Sequence, residues 1–319
     1  MTPGVTPCEA PGMAANDPQQ QPPARSERRR RLQERLTQGP PFIIDGGTGT
    51  ELERLGAAMH PEAWCARTNL TDPEIVLQVH RSFLEAGAEI LIANTYAANL
   101  HVMESAGLGG EFEPTNHRAL ELAHQARTAH QRAHPDHEIW VAGSMSTTTF
   151  SPGIDQEIIE AVATPGAGYR AQAAILAAGA VDLIILEMMR DVTETRLCLD
   201  AAAATGLPVW LGLSTEEDQQ GRLVLFGSDI PLGDGLAQIL EGDHRPQAVG
   251  VMHSQLAITP RALEVVKEQW SGPLFTYPHH GVFEMPHWRF DNTLSPAEFA
   301  AAGQAWLAAG AAAVGGCCG

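Results

Sequence analysis

Three side chains in the second half of the sequence could together bind a metal ion. His253 lies at the end of the apolar stretch 248–254, and the adjacent Cys317 and Cys318 lie at the end of the stretch 311–318. Two thiolates and one imidazole are the protein ligands of one type of catalytic zinc site, which keeps its fourth position open. Spacing alone leaves other interpretations open. The cysteines could form a vicinal disulfide or be two buried thiols, and the histidine could be a polar cap of a strand.

A carboxylate and a glycine-rich turn are further candidates for binding a small molecule. Glu187 ends the apolar stretch 181–187 and could hold an ammonium group, or it could cap the helix that begins near Asp191. Asp45 opens the sequence DGGTGT, which follows another apolar stretch. This sequence lacks the glycine order of a dinucleotide-binding loop and the lysine of a P-loop. It therefore predicts only a tight turn, where backbone amides can approach a small ligand.

These side chains need a scaffold that brings distant parts of the chain together, and the sequence predicts one. Short stretches rich in Ile, Val and Leu alternate with amphipathic helical patterns. The apolar stretches are 41–45, 89–95, 138–144, 181–187, 208–214, 248–254, 273–279 and 311–318. Such strands between helices indicate a parallel sheet that is covered on both faces. Eight units predict an α/β fold, a single (β/α)8 TIM barrel, with a doubly wound sheet as the alternative. The carboxyl ends of barrel strands meet at one mouth, so the candidate residues would converge there.

The composition excludes several classes of protein. The formal net charge of −18 argues against nucleic acid or an anionic membrane as a partner. Hydrophobic residues make up 44% of the chain and charged residues 18%, which is typical of a globular domain. No apolar stretch is long enough to span a membrane, and the N-terminus lacks a secretory signal. We therefore expect a cytoplasmic protein that acts on small molecules. The sequence does not predict its oligomeric state.

The first 40 residues differ from the rest of the chain. They are rich in Pro, Gln and Arg, and we expect residues 1–40 to form a disordered tail that precedes a barrel domain at 41–319. Four consecutive arginines, at 28–31, could form a targeting patch. The alternative is a solvated charge run that opens a short helix, RSERRRRLQERL.

Several motifs resemble the homocysteine S-methyltransferase family. They are DGGTGTELERLG at 45–56, the stretch WCARTNLTDPEIVLQVHRSFLEAGAEILIANTYAAN at 64–99, VAGS at 141–144 and GGCCG at 315–319. The resemblance runs from Phe42 to the C-terminus. It implies a zinc-dependent TIM-barrel enzyme that moves a methyl group from a small sulfonium or ammonium donor to a thiol. The acceptor that the resemblance implies is homocysteine, which would become methionine.

The resemblance also assigns roles to individual residues. Cys317 and Cys318 match the paired zinc thiolates of the family. Asp45 and Gly46 match the turn that contacts the amino acid substrate, and Glu187 matches the acidic residue that holds its amino group.

The chain departs from the family pattern around this site. The third zinc ligand of the family is a cysteine in a G-x-N-C motif, and His253 stands at the matching position here. The family motif resembling YPNxGE is replaced by the sequence YPHHGV at 277–282. The less negative site that results should hold a substrate thiolate more tightly and make it a weaker nucleophile. The chain could then use a more activated donor or act on another thiol or a selenol.

Two further functions remain open at this stage. The first is a metal-dependent hydrolase or lyase with His253, His279, His280 and His287 as ligands. The second is a metal-free, non-catalytic barrel that binds an amino acid.

Overall fold

Eight parallel strands close into a barrel. The structure is a computed structural model that describes residues 25–147, 165–284, 287–290 and 294–318. The barrel strands are β1 (Phe42–Ile43), β2 (Ile90–Ile92), β3 (Trp140–Met145), β4 (Leu183–Met189), β5 (Val209–Leu213), β6 (Ala248–Gln255), β7 (Leu274–His279) and β8 (Ala311–Val314). They lie side by side in the order β1-β8-β7-β6-β5-β4-β3-β2. A parallel bridge between Ile44 and Ile90 closes the circle between β1 and β2. The predicted TIM barrel is confirmed.

Helices surround the barrel and one helix precedes it. They are α1 (Arg25–Gln38), α2 (Thr48–Arg54), α3 (Thr68–Thr71), α4 (Pro73–Glu85), α5 (Leu100–Ser105), α6 (Phe112–Ala133), α7 (Pro165–Ala178), α8 (Val192–Ala203), α9 (Leu232–Leu240), α10 (Thr259–Gln269) and α11 (Pro296–Ala308). Two antiparallel hairpins extend from the barrel mouth, one formed by Thr215–Glu217 and Leu223–Leu225, the other by Val282–Glu284 and His287–Arg289. Among the described helices, none is both long and apolar enough to cross a membrane.

The strands separate two apolar cores. Alternate strand residues, among them Trp140, Trp210 and Phe275, fill the interior of the barrel and form the inner core. Their neighbours along each strand pack outward against the helices and form the outer core. Side chains on successive strand positions point to opposite faces, so burial of both faces requires nearly continuous apolar stretches. This requirement explains why the strands were readable in the sequence.

The prediction that residues 1–40 form a disordered tail is wrong for the part that the structure describes. Residues 25–38 form α1, which lies across the N-terminal end of the barrel and places Leu32 and Leu36 in the inner core. Arg28 donates to the buried Asp182 at 2.9 Å, and the indole of Trp140 donates to the Arg28 carbonyl at 2.9 Å. The folded unit therefore includes α1. Residues 1–24 lie outside the described part of the chain.

Arginines of α1 pair with acidic residues that lie far along the chain, so the sequence near α1 does not show these partners. Arg31 pairs with Glu138 at 3.0 Å and Arg35 pairs with Glu89 at 2.7 Å, so part of the charge run is matched by acidic groups near the starts of strands. The charge run fixes a helix onto the barrel, and the apolar face of that helix covers the inner core.

Candidate active site

The structure brings the three predicted metal ligands together at the barrel mouth. The sulfur atoms of Cys317 and Cys318 are 3.7 Å apart, and Nδ1 of His253 is 3.5 Å from the Cys317 sulfur. All three ligand atoms lie within 4.8 Å of one another. Tetrahedral zinc with ordinary bond lengths needs sulfur atoms about 3.8 Å apart and nitrogen about 3.6 Å from sulfur. The distance between the two sulfur atoms and the distance from Nδ1 of His253 to the Cys317 sulfur therefore match those of a Cys2His zinc site.

Backbone hydrogen bonds to β7 fix the two cysteines. The amide of Gly315 donates to Thr276, the amide of Cys317 donates to Pro278 at 2.7 Å, and Cys318 accepts from the amide of His280 at 2.8 Å. These bonds continue the parallel ladder beyond the end of β8. The thiols therefore stand on the rigid end of a strand, not on a free loop.

Glycines allow the close approaches that this arrangement requires. A Cβ atom at Gly47 would lie 2.3 Å from the carbonyl oxygen of Cys317. A Cβ atom at Gly315 would lie 2.7 Å from the ring of Tyr277. Both distances are shorter than any real contact, so the turn after β1 can pack against the cysteines only without side chains at these positions.

Enclosure keeps two of the candidate ligands, His253 and Cys318, in their neutral forms before any cation binds. Burial and the neighbouring His279 lower the pKa of His253 well below its usual range, so its imidazole keeps a lone pair. Burial raises the pKa of the Cys318 thiol well above its usual range, and its hydrogen bond with Cys317 raises it further. A bound metal ion reverses this preference for the thiols, because coordination deprotonates them.

A cavity opens beside the three ligands. Glu187 reaches it from β4 and is only 8% exposed. Burial raises the pKa of this carboxyl to about 7. Four large aromatic side chains also line the cavity: Trp64, Tyr96, Tyr277 and Trp288. The cavity therefore combines three candidate metal ligands, one carboxyl group and several aromatic rings.

Asp45 and Gly46, the first two residues of the turn after β1, have different roles. Gly46 lines the cavity, whereas the Asp45 carboxylate accepts hydrogen bonds from the amide of Ile92 at 2.7 Å and from the hydroxyl of Tyr277 at 3.0 Å. The same hydroxyl lies 2.8 Å from the carbonyl of Gly46. Asp45 therefore ties β1 to β2 and β7, and it holds the turn in place from behind. Its direct contact with substrate stays a prediction, as does that of Gly46 and Glu187.

Backbone conformation marks three residues of the cavity, and the sequence analysis assigned a role only to one of them, His253. Trp64, Met188 and His253 all have positive φ angles, of 43°, 56° and 47°, and all three line the cavity. Such strain in residues other than glycine concentrates at functional sites. Only the motif around Trp64 drew attention to it, and nothing in the sequence indicated Trp288.

The four-histidine site considered above does not form in the described part of the chain. Nδ1 of His287 pairs with Glu53 instead. The rings of His253 and His279 do meet, with centroids 4.7 Å apart. Among the described residues, however, the ligand atoms that converge are those of His253, Cys317 and Cys318.

Comparison with known proteins agrees with this geometry. The family model described as homocysteine S-methyltransferase matches residues 42–319. The chain belongs to the homocysteine S-methyltransferase family. The predicted resemblance is thereby confirmed, and with it the expectation that the protein is a methyltransferase.

Relatives match over nearly their full length. Homocysteine S-methyltransferase 4 of Zea mays is 26% identical over 301 residues, which cover 86% of this chain and 84% of the maize protein. A selenocysteine methyltransferase of Astragalus bisulcatus is 25% identical, with 88% of this chain and 89% of that protein covered. The metallated form of the homocysteine methyltransferase MmuM from Escherichia coli has the same fold, with a TM-score of 0.71 at 23% identity over 91% of this chain and 95% of that one.

Proposed function

We propose that this protein is a zinc-dependent methyltransferase that moves a methyl group from a small sulfonium or quaternary ammonium donor to a thiol. The first candidate acceptor is homocysteine, which would become methionine. The observation that carries the proposal is the convergence of His253, Cys317 and Cys318 at a cavity that also contains Glu187. Three protein ligands and an open cavity leave room for a fourth ligand, and the sulfur of the acceptor is that ligand in this proposal.

The metal supplies one part of the chemistry, because zinc binding keeps a thiol deprotonated at neutral pH. The protein supplies the positioning. Glu187 holds the ammonium group of the amino acid, and the approach of that cation favours the ionised carboxyl. The small Gly46 lets the substrate lie close to the backbone of the first turn. Holding the acceptor in line with the donor methyl group then removes much of the entropic barrier to the displacement.

The aromatic walls suit a cationic donor. Trp64 and Tyr96 pack edge to face, with ring centroids 6.3 Å apart, and Trp288 lines the same cavity. Aromatic faces attract sulfonium and quaternary ammonium groups without forming hydrogen bonds to them. Charge on the donor is lost as its methyl group leaves, so these rings serve mainly to bind and orient it.

The histidine ligand separates this site from one with three thiolates. Two thiolates and a neutral imidazole leave a zinc site formally uncharged, whereas three thiolates leave one negative charge. An uncharged site holds an incoming thiolate or selenolate more tightly and makes it less nucleophilic. A selenol is therefore the second acceptor to test, and a relative from Astragalus bisulcatus is named for selenocysteine.

Metal content tests the proposal. Protein purified under reducing conditions should contain about one zinc per chain, and the Cys317→Ala/Cys318→Ala double variant should contain none. Cys198→Ala is the matched control, because Cys198 is buried in α8 within the outer core. Loss of zinc in the double variant alone then justifies screening donors with homocysteine and selenocysteine.

Other outcomes distinguish the alternatives. Zinc retained by the double variant would favour a histidine-based hydrolase or lyase site. A wild-type protein without metal that still binds homocysteine, measured by calorimetry, would show a non-catalytic amino-acid-binding barrel.

A further inference from the structure

The backbone of His253 must leave strand geometry before its side chain can reach the cavity. In β6, Ala248 and Met252 face the inner core, whereas Val249 and Val251 face the helices. Alternation would therefore send the side chain of residue 253 outward. Instead the ladder between β6 and β7 shifts register after Met252, and His253 adopts a φ of 47°. This local bulge turns the imidazole toward the two thiols.

Two neighbouring strand ends contact this strained residue. Ser214, directly after β5, donates its hydroxyl to the carbonyl of His253 at 2.7 Å. His279, the last residue of β7, packs its ring against the ring of His253. Both side chains are buried. The backbone of His253 is therefore held from β5 by a hydrogen bond, and its ring is contacted from β7.

Aromatic packing completes the enclosure. The ring of His279 lies 4.7 Å from that of His253, measured between centroids. Trp288 packs edge to face against both, at 5.8 Å from His253 and 5.3 Å from His279. A rotation of the His253 peptide would break the hydrogen bond from Ser214 and displace this packing.

We propose that Ser214 and His279 are positioning residues for the metal ligand His253. Ser214 holds its carbonyl group and His279 packs against its ring, so that the left-handed backbone keeps Nδ1 aimed toward the two thiols. The inference rests on the proposed function, because it assumes that His253 binds the metal. Neither Ser214 nor His279 lines the cavity, so both act only through His253.

The test measures metal binding directly. The apparent affinity for Zn²⁺ is determined by competition with a chromogenic chelator, and the geometry of the site by the visible spectrum of the cobalt-substituted protein. The variants are Ser214→Ala, which removes the hydrogen bond to the His253 carbonyl, and His279→Phe, which replaces the imidazole packed against His253 with a larger ring. Partners that orient a metal-ligating histidine typically contribute about 10- to 100-fold to metal affinity, and we expect a loss of that size with an altered cobalt spectrum.

Matched controls separate positioning from a general loss of stability. Ser82→Ala removes the same kind of hydroxyl-to-carbonyl bond, 2.8 Å long, from α4. His80→Phe replaces a buried histidine on the same helix. Both controls should keep the affinity and the spectrum of the wild type. In a His253→Ala background, Ser214→Ala should cause no further loss of affinity, because the ligand that it positions is absent.

The outcomes distinguish this inference from the proposed function. Wild-type protein without any metal affinity would refute both. Wild-type protein that binds zinc, together with Ser214→Ala and His279→Phe variants of unchanged affinity and spectrum, would refute the positioning role alone. An equal loss caused by Ser214→Ala in the His253→Ala background would also refute it.

Discussion

A single methyl group at Gly47 should displace Cys317 and Cys318, the proposed metal ligands. In Gly47→Ala the new Cβ atom would lie 2.3 Å from the carbonyl oxygen of Cys317 and 3.1 Å from the Cα atom of Cys318. Real Cβ contacts are essentially never shorter than 3.0 Å, so the turn and the cysteine backbone must separate by at least 3.0 − 2.3 = 0.7 Å. The cysteine backbone is tied to β7, and this displacement therefore strains one side of the site or the other.

The size of the effect follows from this displacement. A misplacement of about 1 Å in a catalytic arrangement costs about 100-fold in rate. Overpacking of this kind typically lowers the free energy of unfolding by about 1–3 kcal/mol, which corresponds to a melting temperature lower by several degrees. We therefore expect Gly47→Ala to fold, to bind zinc more weakly and to lose about two orders of magnitude in methyl transfer.

The assay compares zinc affinity, methyl transfer and melting temperature with those of Gly110→Ala. A Cβ atom at Gly110 would meet nothing within 4 Å, so this variant controls for the glycine-to-alanine change itself. Wild-type zinc affinity and activity in Gly47→Ala would show that the first turn and the cysteines are not held in fixed contact, and the reasoning would be refuted.

Three further predictions concern stability, measured by urea denaturation. Burial raises the pKa of Glu187 to about 7, so the folded protein keeps a proton that the unfolded chain releases at lower pH. Glu187 should therefore contribute a fall of up to about 3 kcal/mol in the free energy of unfolding of the metal-free protein as the pH rises from about 4.5 to about 7, and Glu187→Gln should remove that contribution. Asp182→Ala should cost about 3–5 kcal/mol, because it leaves Arg28 and Arg127 without their shared buried partner; a loss below 1 kcal/mol would contradict this. Tyr277→Phe removes the hydroxyl that bridges a buried carboxylate and the first turn, and it should cost about 1–3 kcal/mol. An unchanged denaturation midpoint in that variant would show that the bridge contributes nothing.

The strands and most of their functional ends could be predicted because two-sided burial leaves a plain pattern. Glu187 shares the inward parity of Leu183 and Ile185, so regular alternation already carries it to the barrel mouth. The cysteine pair could be placed at the same mouth because it ends the last apolar stretch, 311–318.

The orientation of His253 could not be derived from the sequence pattern. Alternation predicts that its side chain points away from the cavity, and only a bulge with a left-handed residue reverses this. Nothing in the local sequence specifies such a bulge, because the groups that hold it come from two other strands. The hydrogen bond that holds Asp45 behind the turn could not be predicted either, since its partner Tyr277 lies 232 residues away in the sequence.

The misreading of α1 has the same cause. An arginine-rich segment is solvated unless acidic partners meet it, and Asp182, the buried partner of Arg28, lies 154 residues further along the chain. Local composition therefore favoured a tail, whereas the tertiary structure provides a docking surface.

The docking of α1 also has a consequence for biosynthesis. This helix leaves the ribosome before the segments that it packs against, and its contacts with Trp140 and Asp182 span 112 and 154 residues. At translation rates of about 5–20 residues per second, Asp182 is made roughly 8–30 s after Arg28. During that interval the apolar face of α1 has no barrel to cover. The barrel closes only once β8 has been made, because β8 pairs with β1, so Leu32 and Leu36 can be buried in the inner core only after that strand is synthesised.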